Sequence, residues 1–184
     1  MSKKQPEIRR SVLLAIRETA RTQLDDPTRA AVGARLTGES LEIWEAMRPL
    51  TADWYEESIS VRIIEALHAV ASQPAFVAFI EKLCDNGFGR LRRMFLSLAT
   101  PIMLASRAPD FWAYDHATGK MTTEEVEGGV LVSITEHPYA ESKACRSLMT
   151  EYVRHAFSLT RVKRVTASED PERGKFGIVV QWSL

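Results

Sequence analysis

Histidine and cysteine side chains are the groups in this sequence best suited to catalysis. The sequence has four histidines and two cysteines, namely His68, His116, His137, His155, Cys84 and Cys145. Cys145 lies near the start of a predicted helix, where the helix dipole favours a thiolate, and His137 or His155 would have to serve as its base. Cysteine is also a common small hydrophobe of protein cores, and we favour that role. We therefore predict no catalytic residue.

The spacing of the histidines does not indicate a metal site. The sequence contains no His-x-x-x-His, His-Glu-x-x-His or paired Cys-x-x-Cys motif, so zinc or iron ligands would have to come from distant stretches. His137 precedes Pro138 at the end of a predicted strand and is expected to be a turn residue, whereas His68 is expected to pack on a helix. The adjacent Glu56 and Glu57 are interpreted as surface charge. We predict no metal ligand.

Three aromatic residues lie where a helical part of the chain meets a β part. Phe111, Trp112 and Tyr114 either fill this junction of the core or line a pocket between helices and sheet that holds a small apolar ligand. On composition alone we favour the filled junction. If a pocket exists, its candidate residues are these three together with Cys145 and Tyr152.

Composition and charge restrict the class of protein. The chain has 184 residues, and its 24 Lys and Arg equal its 24 Asp and Glu, so we predict one domain over residues 1–184 and no nucleic-acid partner. The basic clusters at 90–93 and 161–164 are interpreted as solvated or partner-contacting faces. No signal peptide and no run of 18 apolar residues is present, so we predict a cytoplasmic protein without a membrane partner.

Hydrophobic periodicity predicts an α+β fold, with a helical N-terminal two thirds followed by a β-β-α-β-β unit that forms a four-stranded antiparallel sheet. The helical part spans about 6–110, and its predicted helices cover 6–24, 27–36, 40–47, 53–72, 74–86, 89–100 and 101–107. Asn86-Gly87 is interpreted as a helix stop. The second part spans about 115–184, with strands at 120–127, 130–136, 161–168 and 175–183 and a helix at 139–158.

Several short stretches resemble one known group of proteins. They are Phe111-Trp-Ala-Tyr114, Glu127-Gly-Gly129, Val130–Thr135, His137-Pro138 and Val180-Gln-Trp182. Together they resemble a myxobacterial, hence bacterial, family of unknown function and of about this length. That family is related to the 4-vinyl-reductase-type and haem–nitric-oxide-binding-like superfamily. The resemblance implies helices followed by a β-β-α-β-β unit, in proteins that bind small hydrophobic molecules or haem or act as assembly modules.

The sequence departs from this superfamily at two places that concern cofactors. The Tyr-x-Ser-x-Arg signature of the haem-binding branch is absent, and the last predicted hairpin turn, Asp170–Gly174, contains no cysteine. We therefore predict no cofactor and do not expect haem.

Three functional hypotheses remain at this point. The leading one is a non-enzymatic regulatory or sensing module that binds a small apolar ligand between helices and sheet. The alternative is a protein-interaction module without a ligand, either a homodimer or a partner-binding protein. A cysteine-dependent enzyme is the third.

Overall fold

Seven α-helices occupy much of the part of the chain that the structure describes. The computed structural model describes residues 5–47, 49–170 and 176–183, with no side chains over 88–95. The helices are α1 (Arg10–Gln23), α2 (Asp26–Gly33), α3 (Gly38–Trp44), α4 (Glu57–Val70), α5 (Gln73–Leu96), α6 (Pro101–Asp115) and α7 (Lys143–Ser158). Local capping starts several of them: Asp25 accepts from Thr28 N–H at α2, and Thr100 accepts from Met103 N–H at α6.

Helix α5 continues through the predicted stop at Asn86-Gly87, so that prediction was wrong. Asn86 donates its side-chain amide to Thr19 Oγ1 over 2.9 Å. A Cβ atom at Gly87 would lie 3.0 Å from the Tyr152 hydroxyl. The two residues are therefore used for close packing against α1 and α7, not to end the helix. The basic cluster at 90–93 lies outside the side chains that the structure describes.

Helix α6 is eight residues longer than predicted, because its internal Pro109 is accommodated. Proline has no N–H to donate to the carbonyl four residues earlier, which here belongs to Ala105. The Thr123 hydroxyl donates to that carbonyl over 3.2 Å instead. Helix α6 therefore carries Phe111, Trp112 and Tyr114 as far as the edge of the sheet.

A short two-stranded ribbon, which the sequence analysis did not predict, joins distant parts of the chain. Strands β1 (Glu7–Arg9) and β2 (Trp54–Glu56) are antiparallel. Ile8 in β1 is fully buried and also forms a bridge with His116, next to a 2.9 Å hydrogen bond from Ala117 N–H to the Glu7 carbonyl. The ribbon therefore brings the start of α4 close to the end of α6.

The four-stranded antiparallel sheet has the strand order β3-β4-β6-β5, and the predicted α+β fold class is confirmed. Its strands are β3 (Lys120–Val126), β4 (Gly129–Thr135), β5 (Arg164–Asp170) and β6 (Phe176–Ser183). One face of β4 and β6 is buried as their two-residue period predicts: Val130, Val132, Ile134, Phe176, Ile178 and Val180. Leu131 of β4, on the other face, is buried as well. All but the first residue of the predicted last turn, 170–174, lies outside the described residues.

A 3₁₀ turn, Pro138–Ala140, separates β4 from α7, so the helix predicted from residue 139 begins only at Lys143. Ser142 caps it by accepting from Cys145 N–H. Within the described residues, no helix has the length and hydropathy that crossing a membrane requires.

Candidate functional site

A cavity of about 450 Å³ lies between the helices and the sheet. Its walls come from α1, α4, α5, α6 and α7, from strands β3 and β4, and from the turn before α7. Most of the lining is apolar, with Val12, Met121 and Val153 as examples on three different walls. Small-molecule sites in proteins have volumes of about 300–1,000 Å³ and apolar walls with few polar groups. The cavity matches them in size and in character.

Four of the five residues predicted as pocket candidates line this cavity. Phe111, Trp112 and Tyr114 do so from α6, and Tyr152 does so from α7. Cys145 is fully buried in the core and is not among the lining residues. The aromatic group thus lies at a cavity wall, and the binding of a ligand by these residues stays a prediction.

The sulfur of Cys145 is poorly placed for nucleophilic chemistry. Burial raises the pKa of its thiol to about 12, and burial likewise raises the pKa of Cys84. In the part of the chain that the structure describes, neither His137 nor His155 hydrogen-bonds to the Cys145 sulfur; both histidines face carboxylates instead. These observations do not support the cysteine-dependent mechanism.

Both cysteines should therefore react very slowly with a thiol reagent in the folded protein. With a pKa of about 12, Cys145 is expected to react more than about 1,000-fold more slowly at pH 7.5 than a free cysteine, because only the thiolate attacks. Absorbance during reaction with a disulfide reagent measures the rate, and denatured protein should release two equivalents. A fast equivalent from folded protein would contradict the burial of both thiols.

Glu57, His116 and His137 form a buried cluster beside the cavity. Glu57 Oε2 lies 3.1 Å from His116 Nδ1 and 3.3 Å from His137 Nε2. The side chains of Glu57 and His137 are fully buried, and that of His116 is 9% exposed. One ligand atom from each residue lies within 4.8 Å of the others. Of the three, His116 also lines the cavity.

Three separate elements position these side chains. Glu57 is the first residue of α4, directly after β2. His116 follows the last residue of α6, where its N–H donates to the Trp112 carbonyl over 2.9 Å. His137 precedes the 3₁₀ turn, and its Nδ1 accepts from Tyr139 N–H over 3.3 Å. The β1–β2 ribbon, which also bridges to His116, explains why residues so distant in sequence meet.

Neighbouring groups fix the orientation of the cluster. The Ser60 hydroxyl donates to Glu57 Oε1 over 2.9 Å, and Tyr139 OH lies 3.1 Å from Ser60 Oγ. The Trp112 ring stacks on His116 with centroids 3.9 Å apart and meets His137 edge-on at 4.7 Å. Each ring is therefore held by packing as well as by hydrogen bonds.

The histidines keep the buried carboxylate ionised. Burial alone would raise the pKa of Glu57, but the contacts of its carboxylate with His116 and His137 lower it to about 2. Burial lowers the pKa of His137, against the opposing effect of Glu57. At neutral pH the cluster thus presents a carboxylate and a neutral His137 ring, and these are protonation states that metal ligands require.

Two interpretations from the sequence need correction here. Glu57 is not surface charge: its side chain is fully buried, which is possible because Ser60 and His116 hydrogen-bond to the carboxylate. His137 does lie at a turn, as predicted, but it is also part of the cluster. A signal for Glu57 was available, since it lies three and seven residues before the buried Ser60 and Ile64 of α4, in phase with the buried face.

Comparison with known proteins finds similar structures but no similar sequence. Neither a family model nor a curated protein sequence matches this chain. Two solved structures are similar over nearly their whole length: an Fe(II) unliganded H-NOX protein from K. algicida and a mutant of that protein. The first has a TM-score of 0.62 at 9% identity and covers 94% of this chain and 95% of that one. The second has a TM-score of 0.63 at 11% identity, with 96% and 97% covered.

This chain has an H-NOX-like fold. The part of the sequence resemblance that concerns the haem–nitric-oxide-binding-like group is thus supported at the level of fold. Its myxobacterial part stays a prediction.

The prediction that the chain has no cofactor was wrong. It is contradicted by the likeness to structures described as Fe(II) proteins and by the convergence of Glu57, His116 and His137 at ligand spacing. The donor set fits a metal ion, because two imidazoles and a carboxylate are common ligands of zinc and of non-haem iron. The sequence could not show this convergence because the three residues come from three distant stretches.

Proposed function

We propose that this chain is a sensing module that binds a small, mainly apolar molecule in the cavity between its helices and its sheet. The observation that carries this proposal is the cavity itself, about 450 Å³ in volume and lined from five helices and two strands. The likeness to H-NOX structures supports it, since those structures are described as unliganded and so belong to a protein with a liganded state.

The walls indicate the chemistry of the ligand. Several polar side chains at the cavity already have partners: Asn86 bonds to Thr19, Tyr139 contacts Ser60, and His116 contacts Glu57. A ligand therefore gains most by burying apolar surface. Burial of about 300 Å² of such surface is worth about 7.5 kcal/mol at about 25 cal/mol per Å², before the cost of immobilising the ligand. Micromolar or weaker affinity is expected.

Sensing follows from where the cavity lies. Its walls belong both to the helical part and to the β part, so a bound molecule contacts both at once. A ligand that binds one arrangement of these parts more tightly shifts the population toward it. Helix α6 connects the two, because it carries the cavity-lining Phe111 and Trp112 and is followed directly by His116.

Filling the cavity should weaken ligand binding. Ala108 lines the cavity from α6, so Ala108→Trp should weaken the binding of N-phenyl-1-naphthylamine, an apolar fluorescent probe, at least about tenfold, because the indole takes the ligand's space. Ala113 is exposed on the same helix and does not line the cavity, so Ala113→Trp is the matched control. Fluorescence titration measures affinity, and circular dichroism verifies folding. Equal binding by the two folded variants would contradict the proposal.

The proposal assigns no catalytic role to the chain. Its cytoplasmic location and the alternative function, pairing with a second copy or with a partner protein, stay predictions.

A further inference from the structure

We infer that Glu57, His116 and His137 bind one first-row divalent metal ion, through Glu57 Oε2, His116 Nδ1 and His137 Nε2. This site is distinct from the apolar cavity and does not rest on the proposed function. A two-histidine, one-carboxylate set leaves further coordination positions open. His116 and Tyr139 also line the cavity, so the site lies at its border.

The spacing of the ligand atoms already approaches that of a metal site. Metal–nitrogen and metal–oxygen bonds of about 2.0–2.2 Å place neighbouring ligand atoms about 3.0–3.5 Å apart. Glu57 Oε2 lies 3.1 Å and 3.3 Å from the two histidine nitrogens. One ligand atom from each of the three residues lies within 4.8 Å of the others, so a small approach of the two rings completes the triangle.

A second, independent observation is the unsatisfied nitrogen of His137. His137 Nε2 is buried and has no hydrogen-bond partner among the described residues. Its 3.3 Å distance to Glu57 Oε2 allows electrostatic attraction, but the contact is not a well-aligned hydrogen bond. A buried nitrogen without a partner is costly, and a cation between it and the carboxylate satisfies both.

The surroundings resemble the outer shell of a metal centre. Metal-binding carboxylates and histidines are themselves held by hydrogen bonds. Here Ser60 donates to the other oxygen of Glu57, and Tyr139 OH contacts Ser60. Trp112 holds both imidazole rings by packing. The ligands are therefore oriented before an ion arrives.

Metal binding also has a structural consequence at the 3₁₀ turn. His137 Nδ1 now accepts from Tyr139 N–H over 3.3 Å. A neutral imidazole that binds a metal through Nε2 carries its proton on Nδ1, which then cannot accept. The Tyr139 N–H bond is lost on binding, and the turn at Pro138–Ala140 must readjust. Tyr139 lines the cavity, so the ion also alters the cavity wall.

A different histidine, His155, lies beside two carboxylates and provides the control. His155 Nε2 lies 3.1 Å from Asp85 Oδ1, while Glu81 Oε1 lies 3.7 Å from the other ring nitrogen. The two carboxylates therefore face different ring atoms, and one ion cannot bind both through a single nitrogen. His155→Gln should leave metal binding unchanged.

Titration of chelator-treated, desalted full-length protein with Co²⁺, and separately with Zn²⁺ and anaerobic Fe²⁺, tests the site. We expect one ion per chain by elemental analysis and visible absorption bands from bound Co²⁺. In NMR spectra, the Tyr139 amide resonance should move away from its metal-free position. Glu57→Gln and His137→Gln should each weaken binding at least about 100-fold, and Ser60→Ala about tenfold.

Folding of each variant is verified by circular dichroism. If one of them does not fold, His116→Gln replaces it, because the His116 side chain is partly exposed. Zn²⁺ should raise the melting temperature of the wild type but not of folded ligand variants. Absence of one-to-one binding to the folded wild type would overturn the inference. Equal binding by His137→Gln and His155→Gln would also overturn it. Neither result would contradict the proposed function, which is tested separately by uptake of the apolar probe.

Discussion

Glu57→Ala should lower the free energy of unfolding of the metal-free protein by about 3–5 kcal/mol, the cost of removing one member of a buried, hydrogen-bonded ionic group. The carboxylate is fully buried and accepts from Ser60 beside two histidines. Without it, His116 and Ser60 lose an acceptor and His137 Nε2 loses the nearby carboxylate, and such losses are costly in the core. Urea denaturation followed by circular dichroism measures the change.

The neighbouring glutamate is the control. Glu56 is exposed at the end of β2, so Glu56→Ala should change the stability by less than about 0.5 kcal/mol. A loss below about 1 kcal/mol for Glu57→Ala, or equal losses for the two variants, would show that the cluster does not stabilise the fold.

Gly129→Ala should also destabilise the protein severely and lower its free energy of unfolding by about 3 kcal/mol. A Cβ atom at Gly129 would lie 1.9 Å from the backbone oxygen of Val180 in the neighbouring strand. A backbone atom cannot move aside as a side chain does, so β4 and β6 have to separate locally. Denaturant unfolding measures the loss.

The adjacent glycine separates this steric effect from a general effect of glycine replacement. Gly128 has φ +73°, and a Cβ there would meet nothing within 4 Å. Gly128→Ala should cost only about 1–2 kcal/mol, through its left-handed backbone. If Gly129→Ala were the milder of the two substitutions, the described pairing of β4 with β6 would be wrong.

The sheet could be predicted from the sequence because its signal is local. Val130, Val132 and Ile134 alternate with their neighbours, and the second residue of the Gly128-Gly129 pair begins the strand. Two helix ends could not be predicted, since tertiary contacts decide them. Helix α5 passes Asn86 because α1 and α7 pack there, and α6 passes Pro109 because Thr123 satisfies the released carbonyl.

The site likewise has a part with a local sequence signal and a part that tertiary contacts decide. Phe111, Trp112 and Tyr114 are nearly contiguous, so their common position at a wall between helices and sheet could be anticipated. The Glu57–His116 contact joins residues 59 positions apart. It depends on a three-residue ribbon too short to leave a clear pattern in the sequence. An adjacent pair of glutamates is typical of surface charge, and only the helical phase of Glu57 with Ser60 and Ile64 indicates that it is buried.

Methionine methyl NMR tests the central claim, ligand binding in this cavity, most directly. Met121 and Met149 line the cavity, whereas Met47 and Met103 are exposed and do not. With ¹³C-methyl methionine, adding N-phenyl-1-naphthylamine should shift the Met121 and Met149 resonances by ring-current effects and leave Met47 and Met103 in place. Shifts confined to Met47 and Met103, or none at saturating probe, would contradict the claim.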